Sequence, residues 1–180
     1  LAKQPVKTSD SSLYIDESLS YIPAEDNQEN GTDKDTNKPV ILLVDDNIEM
    51  LDYLKGILQS KYQIITATNG KIALDIMKTQ LVDIVLSDVM MPEMDGFEVL
   101  AYINKYHWND TFAVIMISTD DTPANIKRAY DLGAFDYINR PFDSTIVQRR
   151  ISNTMFLYAK QQRLEKIIAE QFHEQERIVS

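Results

Sequence analysis

The stretch VDIVLSDV, residues 82–89, contains a run of three aliphatic residues, which Ser87 and Asp88 follow. Side chains of a strand alternate between its two faces, so consecutive apolar residues indicate that both faces are covered. Four other stretches have the same character: VILLVDD (40–46), YQIITAT (62–68), FAVIMIST (112–119) and FDYIN (135–139). Strands of this kind are typical of a parallel sheet that lies between two layers of helices.

The segments between these runs have the spacing of amphipathic helices. Apolar residues recur three or four positions apart, as in the series Ile48, Leu51, Leu54 and Leu58. Strand and helix thus alternate five times. This pattern predicts an α/β fold, a flavodoxin-like doubly wound five-stranded parallel sheet in the order 2-1-3-4-5 with helices on both faces.

Turn and capping residues punctuate this alternation. Asn69-Gly70 is expected to end the second strand, and Asp95-Gly96 is expected to open the third helix. The hydroxyl of Thr122 is expected to cap the fourth helix ahead of a proline in its first turn.

The composition excludes several classes of function. With 180 residues, of which 44% are hydrophobic and 26% charged, the chain has room for one core plus appendages. It contains no Cys, which excludes disulfides, thiolate zinc sites and a catalytic thiol and is consistent with the cytoplasm. A net charge of -10 argues against direct binding of nucleic acid. No apolar run approaches the roughly 18 residues of a membrane span.

The two ends of the chain differ from its middle. Residues 1–38 are rich in acidic and polar residues and are predicted to be a disordered linker or tail, with SSLYIDESLSYI (11–22) as an alternative short binding segment. A domain is predicted over residues 39–159. No Gly or Pro follows Ser144, so the fifth helix should extend through residues 160–180 towards an output domain that this chain does not contain.

The extended helix has a diluted heptad pattern. Ile151, Tyr158, Phe172 and Val179 share one heptad position, with Ile168 near the complementary one. This spacing predicts a signalling or dimerising coiled coil and hence a homodimer. The alternative is a solvated helix that frays.

Three carboxylates follow the strands that should be neighbours at the centre of the sheet. Asp45 and Asp46 end the first strand, and Asp88 ends the third. Ligands of open parallel sheets bind at this edge, where the strand order reverses. Converging carboxylates repel each other unless a cation compensates them, and an all-oxygen site favours Mg²⁺, with Mn²⁺ as a second possibility.

Four motifs carry a resemblance to a known family. ILLVDDN (41–47), LSDVMMPEMDGFE (86–98), VIMIST (114–119) and GAFDYINRPFD (133–143) resemble the signatures of bacterial response regulator receiver domains in order and spacing. The resemblance covers about residues 39–159. It implies a phosphorylation-dependent signalling module of a two-component system. Such a module catalyses only its own phosphorylation and dephosphorylation.

The resemblance also implies roles for single residues. Asp88 would accept a phosphoryl group from a sensor histidine kinase or a phosphotransfer protein. Mg²⁺ would be held by Asp45, Asp46, Asp88 and the backbone carbonyl of Met90. The Ser118 hydroxyl would bind the attached phosphoryl group.

Two further residues are implied near the end of the domain. Tyr137 would be the aromatic residue whose rotation reports phosphorylation, and the bond between Arg140 and Pro141 is often cis in the family. Arg140 itself departs from the family pattern, which has Lys at this position. Because a planar guanidinium does not replace a compact ammonium, this substitution puts the coupling between phosphorylation and the switch in doubt.

Two other functions compete with this interpretation. A degenerate receiver would bind a partner without being phosphorylated, and Arg140 is the residue that motivates this alternative. A Mg²⁺-dependent phosphohydrolase would also use an Asp nucleophile, but typically has a second Asp two residues later. That position is Met90 here.

Overall fold

The structure, a computed structural model, describes residues 37–179. Five parallel strands form one sheet in the order β2-β1-β3-β4-β5. The strands are β1 (Val40–Val44), β2 (Gln63–Ala67), β3 (Ile84–Asp88), β4 (Ala113–Ser118) and β5 (Asp136–Asn139). The predicted α/β fold and strand order are confirmed.

Five helices cover the sheet. They are α1 (Ile48–Leu58), α2 (Gly70–Thr79), α3 (Gly96–Lys105), α4 (Pro123–Asp131) and α5 (Ser144–Val179), and a single 3-10 turn (Trp108–Asp110) precedes β4. The core has two halves, one on each face of the sheet. Buried residues of α2, α3 and α4 pack on one face, and those of α1 and α5 pack on the other.

The observed helix starts agree only in part with the expected punctuation. Asp95 forms a reciprocal capping box with Glu98 at the start of α3. Asn69 caps α2 through its side chain, so it begins a helix, whereas β2 has already ended at Ala67. Thr122 is the N-cap residue of α4 and Pro123 lies in its first turn, as predicted, but the prediction of a capping hydroxyl is wrong, because the Thr122 side chain makes no capping hydrogen bond.

Helix α5 is one uninterrupted helix of 36 residues. Of the predicted heptad residues, Ile151 is fully buried and Tyr158 packs against the same core, so neither is available to a coiled coil. Tyr158 donates a hydrogen bond to the carbonyl of Asn109, and Gln162 donates one to the carbonyl of Asp110. The body of the domain thus holds α5 as far as Gln162.

Most of the predicted linker over residues 1–38, including the segment 11–22, lies outside the described residues. Within residues 37–179, no helix combines the length and the apolar character that crossing a membrane requires.

Candidate functional site

The three predicted carboxylates meet at the edge of the sheet where the strands end. Asp88 is the last residue of β3, and Asp45 follows β1. These two strands pair in parallel with Val44 beside Ser87, so Asp45 is placed beside Asp88. Carboxylate oxygens of Asp45, Asp46 and Asp88 all lie within 4.8 Å of one another, with Asp45 and Asp88 buried and Asp46 exposed. The sequence prediction that these residues converge is confirmed.

The position of Asp45 is fixed by the start of helix α1. Its Oδ1 accepts a hydrogen bond from the amide of Asn47 at 2.9 Å. The Asn47 side chain in turn caps α1 by accepting from the amides of Glu49 and Met50. Asn47 was not singled out from the sequence, although Asn directly before an amphipathic segment is a recognisable cap signal.

Arg140 is the cation of the cluster. Its Nη2 donates to Asp45 Oδ2 at 2.6 Å and lies 3.7 Å from Asp88 Oδ1. The peptide bond to Pro141 is cis. The Arg140 backbone amide donates to the carbonyl of Ser118 at 2.8 Å, which ties the end of β5 to the end of β4.

The charge on Asp88 is incompletely compensated. Burial raises the pKa of its carboxyl group to about 6, and the nearby charge of Asp45 adds to this increase. The Arg140 guanidinium and hydrogen bonds from the Met90 and Val89 amides act in the opposite direction. Additional positive charge at this carboxylate would therefore be favourable.

The donor atoms of the cluster fit a small hard cation. All three side chains are carboxylates, which suit Mg²⁺ or Mn²⁺ rather than zinc. Because Asp46 is exposed, water can reach the cluster and would supply further oxygen ligands to a bound ion. The Met90 side chain ends in a thioether, a soft ligand that does not suit Mg²⁺, so any contribution of this residue would come from its backbone.

Ser118 and Tyr137 lie on the two strands beyond Asp88. Ser118 is fully buried at the end of β4, which pairs with β3, and its Oγ accepts from the amide of Asp120 at 3.0 Å. Tyr137 is also buried, and its hydroxyl donates to the carbonyl of Asp120 at 2.6 Å. Both predicted residues therefore contact one loop residue, Asp120, between β4 and α4.

Asp120 itself was missed at the sequence level. Its side chain accepts hydrogen bonds from the Thr122 amide and from the Asn125 side chain, and these bonds lower the pKa of its carboxyl group. An Asp two residues before a helix cap is a common loop-forming signal. It links Ser118, Tyr137 and the start of α4.

Gly96 is needed behind Asp88 for steric reasons. A Cβ atom on this glycine would lie 2.3 Å from the backbone oxygen of Asp88 and 2.9 Å from the Cα of Val89. The Gly96 amide donates to the carbonyl of Val89 at 2.8 Å. The sequence suggested only helix-start chemistry for Asp95-Gly96, because a close backbone contact leaves no local signal.

Comparison with known proteins identifies the same region. The family profile described as the response regulator receiver domain matches residues 41–152. A probable cyclic di-GMP phosphodiesterase of Vibrio cholerae serotype O1 is 31% identical over 118 residues, which cover 66% of this chain and 27% of that protein. A heme response regulator of Staphylococcus epidermidis is 34% identical over 119 residues, which cover 65% of this chain and 51% of that protein.

A third relative, histidine kinase P4 of Formosa agariphila, is 31% identical over 118 residues, which cover 66% of this chain and 9% of that protein. The chain thus spans about half or less of the length of these three relatives.

Solved structures have the same fold. The chain is similar to a CheY-like receiver domain of Methanospirillum hungatei, with 25% identity, a TM-score of 0.65 and coverage of 69% of this chain and 99% of that chain. It is also similar to the receiver domain of the Francisella response regulator 1452, with 28% identity, a TM-score of 0.63 and the same coverage, 69% and 99%.

Proposed function

The chain belongs to the response regulator receiver domain family, whose members are phosphorylation-dependent signalling modules, and we propose that Asp88 is its phosphoryl acceptor. The observation that carries this proposal is the position of Asp88 at the end of the central strand, inside a cluster of carboxylates with one partly buried cation. The burial that raises the pKa of Asp88 also makes its carboxylate a more basic nucleophile.

The proposed reaction is one in-line displacement. A carboxylate oxygen of Asp88 forms a bond to phosphorus, and the bond from phosphorus to the histidine nitrogen of a kinase or phosphotransfer protein breaks. The imidazole leaves with the electron pair of that bond. The domain acts on no other substrate in this proposal, and phosphoryl transfer of this kind rests on positioning and charge neutralisation.

Three carboxylates and one backbone group would hold the required cation. We assign this role to Asp45, Asp46, Asp88 and the carbonyl of Met90, with Mg²⁺ preferred and Mn²⁺ as the alternative. The bound ion supplies charge neutralisation at the phosphoryl oxygens. The Ser118 hydroxyl and the Arg140 guanidinium would then bind the attached group, since Ser118 ends β4, the strand beside Asp88, and Arg140 Nη2 lies 3.7 Å from Asp88 Oδ1.

Asp120 provides a route for the conformational signal. Ser118 Oγ accepts from the amide of Asp120, and the Tyr137 hydroxyl donates to its carbonyl. A new hydrogen bond from Ser118 to a phosphoryl oxygen would pull this loop towards Asp88. Tyr137 would then lose its acceptor and rotate, which changes the surface formed by α4 and β5.

The output would pass through helix α5. We propose that residues 39–159 form the receiver, that 160–180 act as a signalling helix and that two copies pair through it in the cytoplasm. Large apolar residues of this segment are exposed, namely Leu164, Ile167, Ile168, Phe172, Ile178 and Val179. Because one relative is named a probable cyclic di-GMP phosphodiesterase, an attached cyclic-dinucleotide enzyme is the first output to test.

Acyl phosphate formation tests the central assignment. Wild type, Asp88→Asn and the matched control Asp75→Asn, which changes an exposed aspartate on α2, are incubated with acetyl phosphate and Mg²⁺ and separated on a phosphate-affinity gel. We expect a shifted band for wild type and the control and none for Asp88→Asn, because an amide is not a nucleophile. Equal shifts in all three proteins would refute the assignment.

Sedimentation tests the role of the helix. The full chain is compared with a version that ends at Gln162, which retains the last contact between α5 and the body. We expect association of the full chain, strengthened by beryllofluoride, and a monomer for the shortened chain. Two monomeric proteins at high concentration, with and without beryllofluoride, would contradict pairing through α5.

A further inference from the structure

Arg140 already occupies part of the site that a cation would need. Its Nη2 donates to Asp45 Oδ2 at 2.6 Å, and its side chain is only 17% exposed. Its Nε is buried without a hydrogen-bond partner among the residues described. A guanidinium has five N–H donors, so this one is held at Asp45 with part of its hydrogen-bonding capacity unused.

The oxygen that Arg140 binds is the one left for another ligand. Oδ1 of Asp45 accepts from the amide of Asn47, whereas Oδ2 accepts only from the guanidinium among the contacts described. A cation that coordinates Oδ2 would stand next to the positive charge of a side chain that is only 17% exposed. Like charges at such short range repel each other more strongly than they would in bulk water.

We propose that Arg140 and the divalent cation compete for Oδ2 of Asp45, so that Arg140 sets the cation concentration at which the pocket becomes able to accept a phosphoryl group. This inference rests on the proposed function, since it takes the carboxylate cluster to be the cation site. Arg140, which stands where the family has lysine, would thus occupy part of the cation site until a cation displaces it.

The exchange would take place in the side chain of Arg140. The Arg140 amide is held by its hydrogen bond to the Ser118 carbonyl at 2.8 Å, whereas the bonds of the side chain beyond it can rotate. Asp88 Oδ1 lies only 3.7 Å from Nη2 in the present arrangement. A guanidinium released from Asp45 therefore stays within reach of a phosphoryl group on Asp88 and can bind two of its oxygens.

Calorimetric titration with Mg²⁺, without a phosphodonor, tests the competition. We expect Arg140→Ala and Arg140→Gln to bind Mg²⁺ more tightly than wild type by about tenfold or more, because a charge-assisted hydrogen bond no longer has to be broken. The control Arg150→Gln removes a charge that pairs with Asp136 at 2.8 Å, outside the cluster, and should leave the affinity unchanged. Two Arg140 variants are used, with thermal unfolding as a check that each folds.

A double-mutant cycle separates competition from simple removal of charge. In an Asp45→Asn background the shared carboxylate is gone, so Arg140→Ala should no longer tighten Mg²⁺ binding. A gain that persists in this background would show long-range charge repulsion and overturn the proposal. In nitrogen NMR spectra of wild type, Mg²⁺ should shift the Arg140 side-chain signals as the bond to Asp45 breaks, and unshifted signals at saturating Mg²⁺ would also overturn it.

The outcomes distinguish this inference from the proposed function. Equal Mg²⁺ affinity in wild type and both Arg140 variants would refute the competition, while the assignments of Asp88 and the cation ligands would stand. If neither wild type nor the variants bind Mg²⁺, the cation role and the competition fail together.

Discussion

The acidic pocket and the projecting part of helix α5 differ in how their side chains are surrounded. In the pocket, Asp45 and Asp88 are buried and each has a charged or amide neighbour supplied by the same domain. Beyond Gln162, apolar side chains such as Ile168 and Phe172 are 60% and 66% exposed. The pocket is therefore assembled by the fold alone, whereas the projecting helix has an apolar surface that a second surface could bury.

The largest predicted effect is on the free energy of unfolding, and it should differ between the packed part and the projecting part of α5. Ile151→Ala should lower the free energy of unfolding by about 2–5 kcal/mol, because it removes a fully buried side chain and leaves a cavity. Ile168→Ala, its matched control in the projecting part, should change it by less than about 0.5 kcal/mol in dilute protein. Urea unfolding measures both, and similar losses would show that the projecting part packs on the domain.

An intermediate effect is expected behind the pocket. Gly96→Ala should destabilise the domain by about 1–3 kcal/mol, since the added methyl group would overlap the Asp88 backbone and shift the end of β3. The control Gly56→Ala lies within α1, and apart from the neighbouring backbone of that helix no atom lies within 4 Å of the new methyl group, so it should stabilise by up to about 1 kcal/mol. If denaturant unfolding shows that Gly96→Ala is harmless, the pocket is less rigid than described here.

The smallest effect concerns the junction between the body and the projecting helix. Tyr158→Phe removes the hydrogen bond to the Asn109 carbonyl and should cost about 0.5–1.5 kcal/mol. The control Tyr53→Phe removes the hydroxyl of a side chain that is 44% exposed and stacks on Phe142, so it should be neutral. Equal stability of the two variants in urea would mean that this bond does not anchor α5.

Tyr158 should also make the stability of the domain depend on pH. Burial, assisted by the charge of Asp110, raises the pKa of Tyr158 to about 12, against about 10 for an unfolded tyrosine. The unfolded chain therefore releases this proton first, and stability should fall as the pH rises from about 10 to 12. Tyr158→Phe should lose less stability over that range than wild type does. An identical decline would contradict the raised pKa.

How far the sequence could predict the molecule depends on how local each signal is. The strands at residues 40–44 and 84–88 and the carboxylates at their ends follow from runs of residues, and the parallel order then brings Asp45 beside Asp88. Gly96 packs on the backbone of Asp88, and the carbonyl of Asp120 accepts from the Tyr137 hydroxyl. Because these contacts join separate segments of the chain, no local sequence pattern predicts them. The heptad series combined residues from two parts of α5, because Ile151 and Tyr158 pack on the domain, whereas Phe172 and Val179 are exposed.

The contacts of Arg140 could not be predicted from the sequence either. The sequence indicated a change from the family's lysine, but only the structure places its Nη2 on Asp45 rather than nearer Asp88. Side-chain length and the spread of guanidinium donors decide this choice. These two properties do not show which carboxylate the guanidinium contacts until the positions of the strand ends are known.

The identity of the phosphorylated residue is the central assignment for this domain. Wild-type chain incubated with acetyl phosphate and Mg²⁺ is treated with borohydride, which reduces an aspartyl phosphate to homoserine with release of phosphate, and its peptides are sequenced by mass spectrometry. We predict homoserine at position 88 and unmodified Asp45 and Asp46 in the same digest. Homoserine at position 45 or 46 with intact Asp88, or no conversion of any aspartate, would contradict the account.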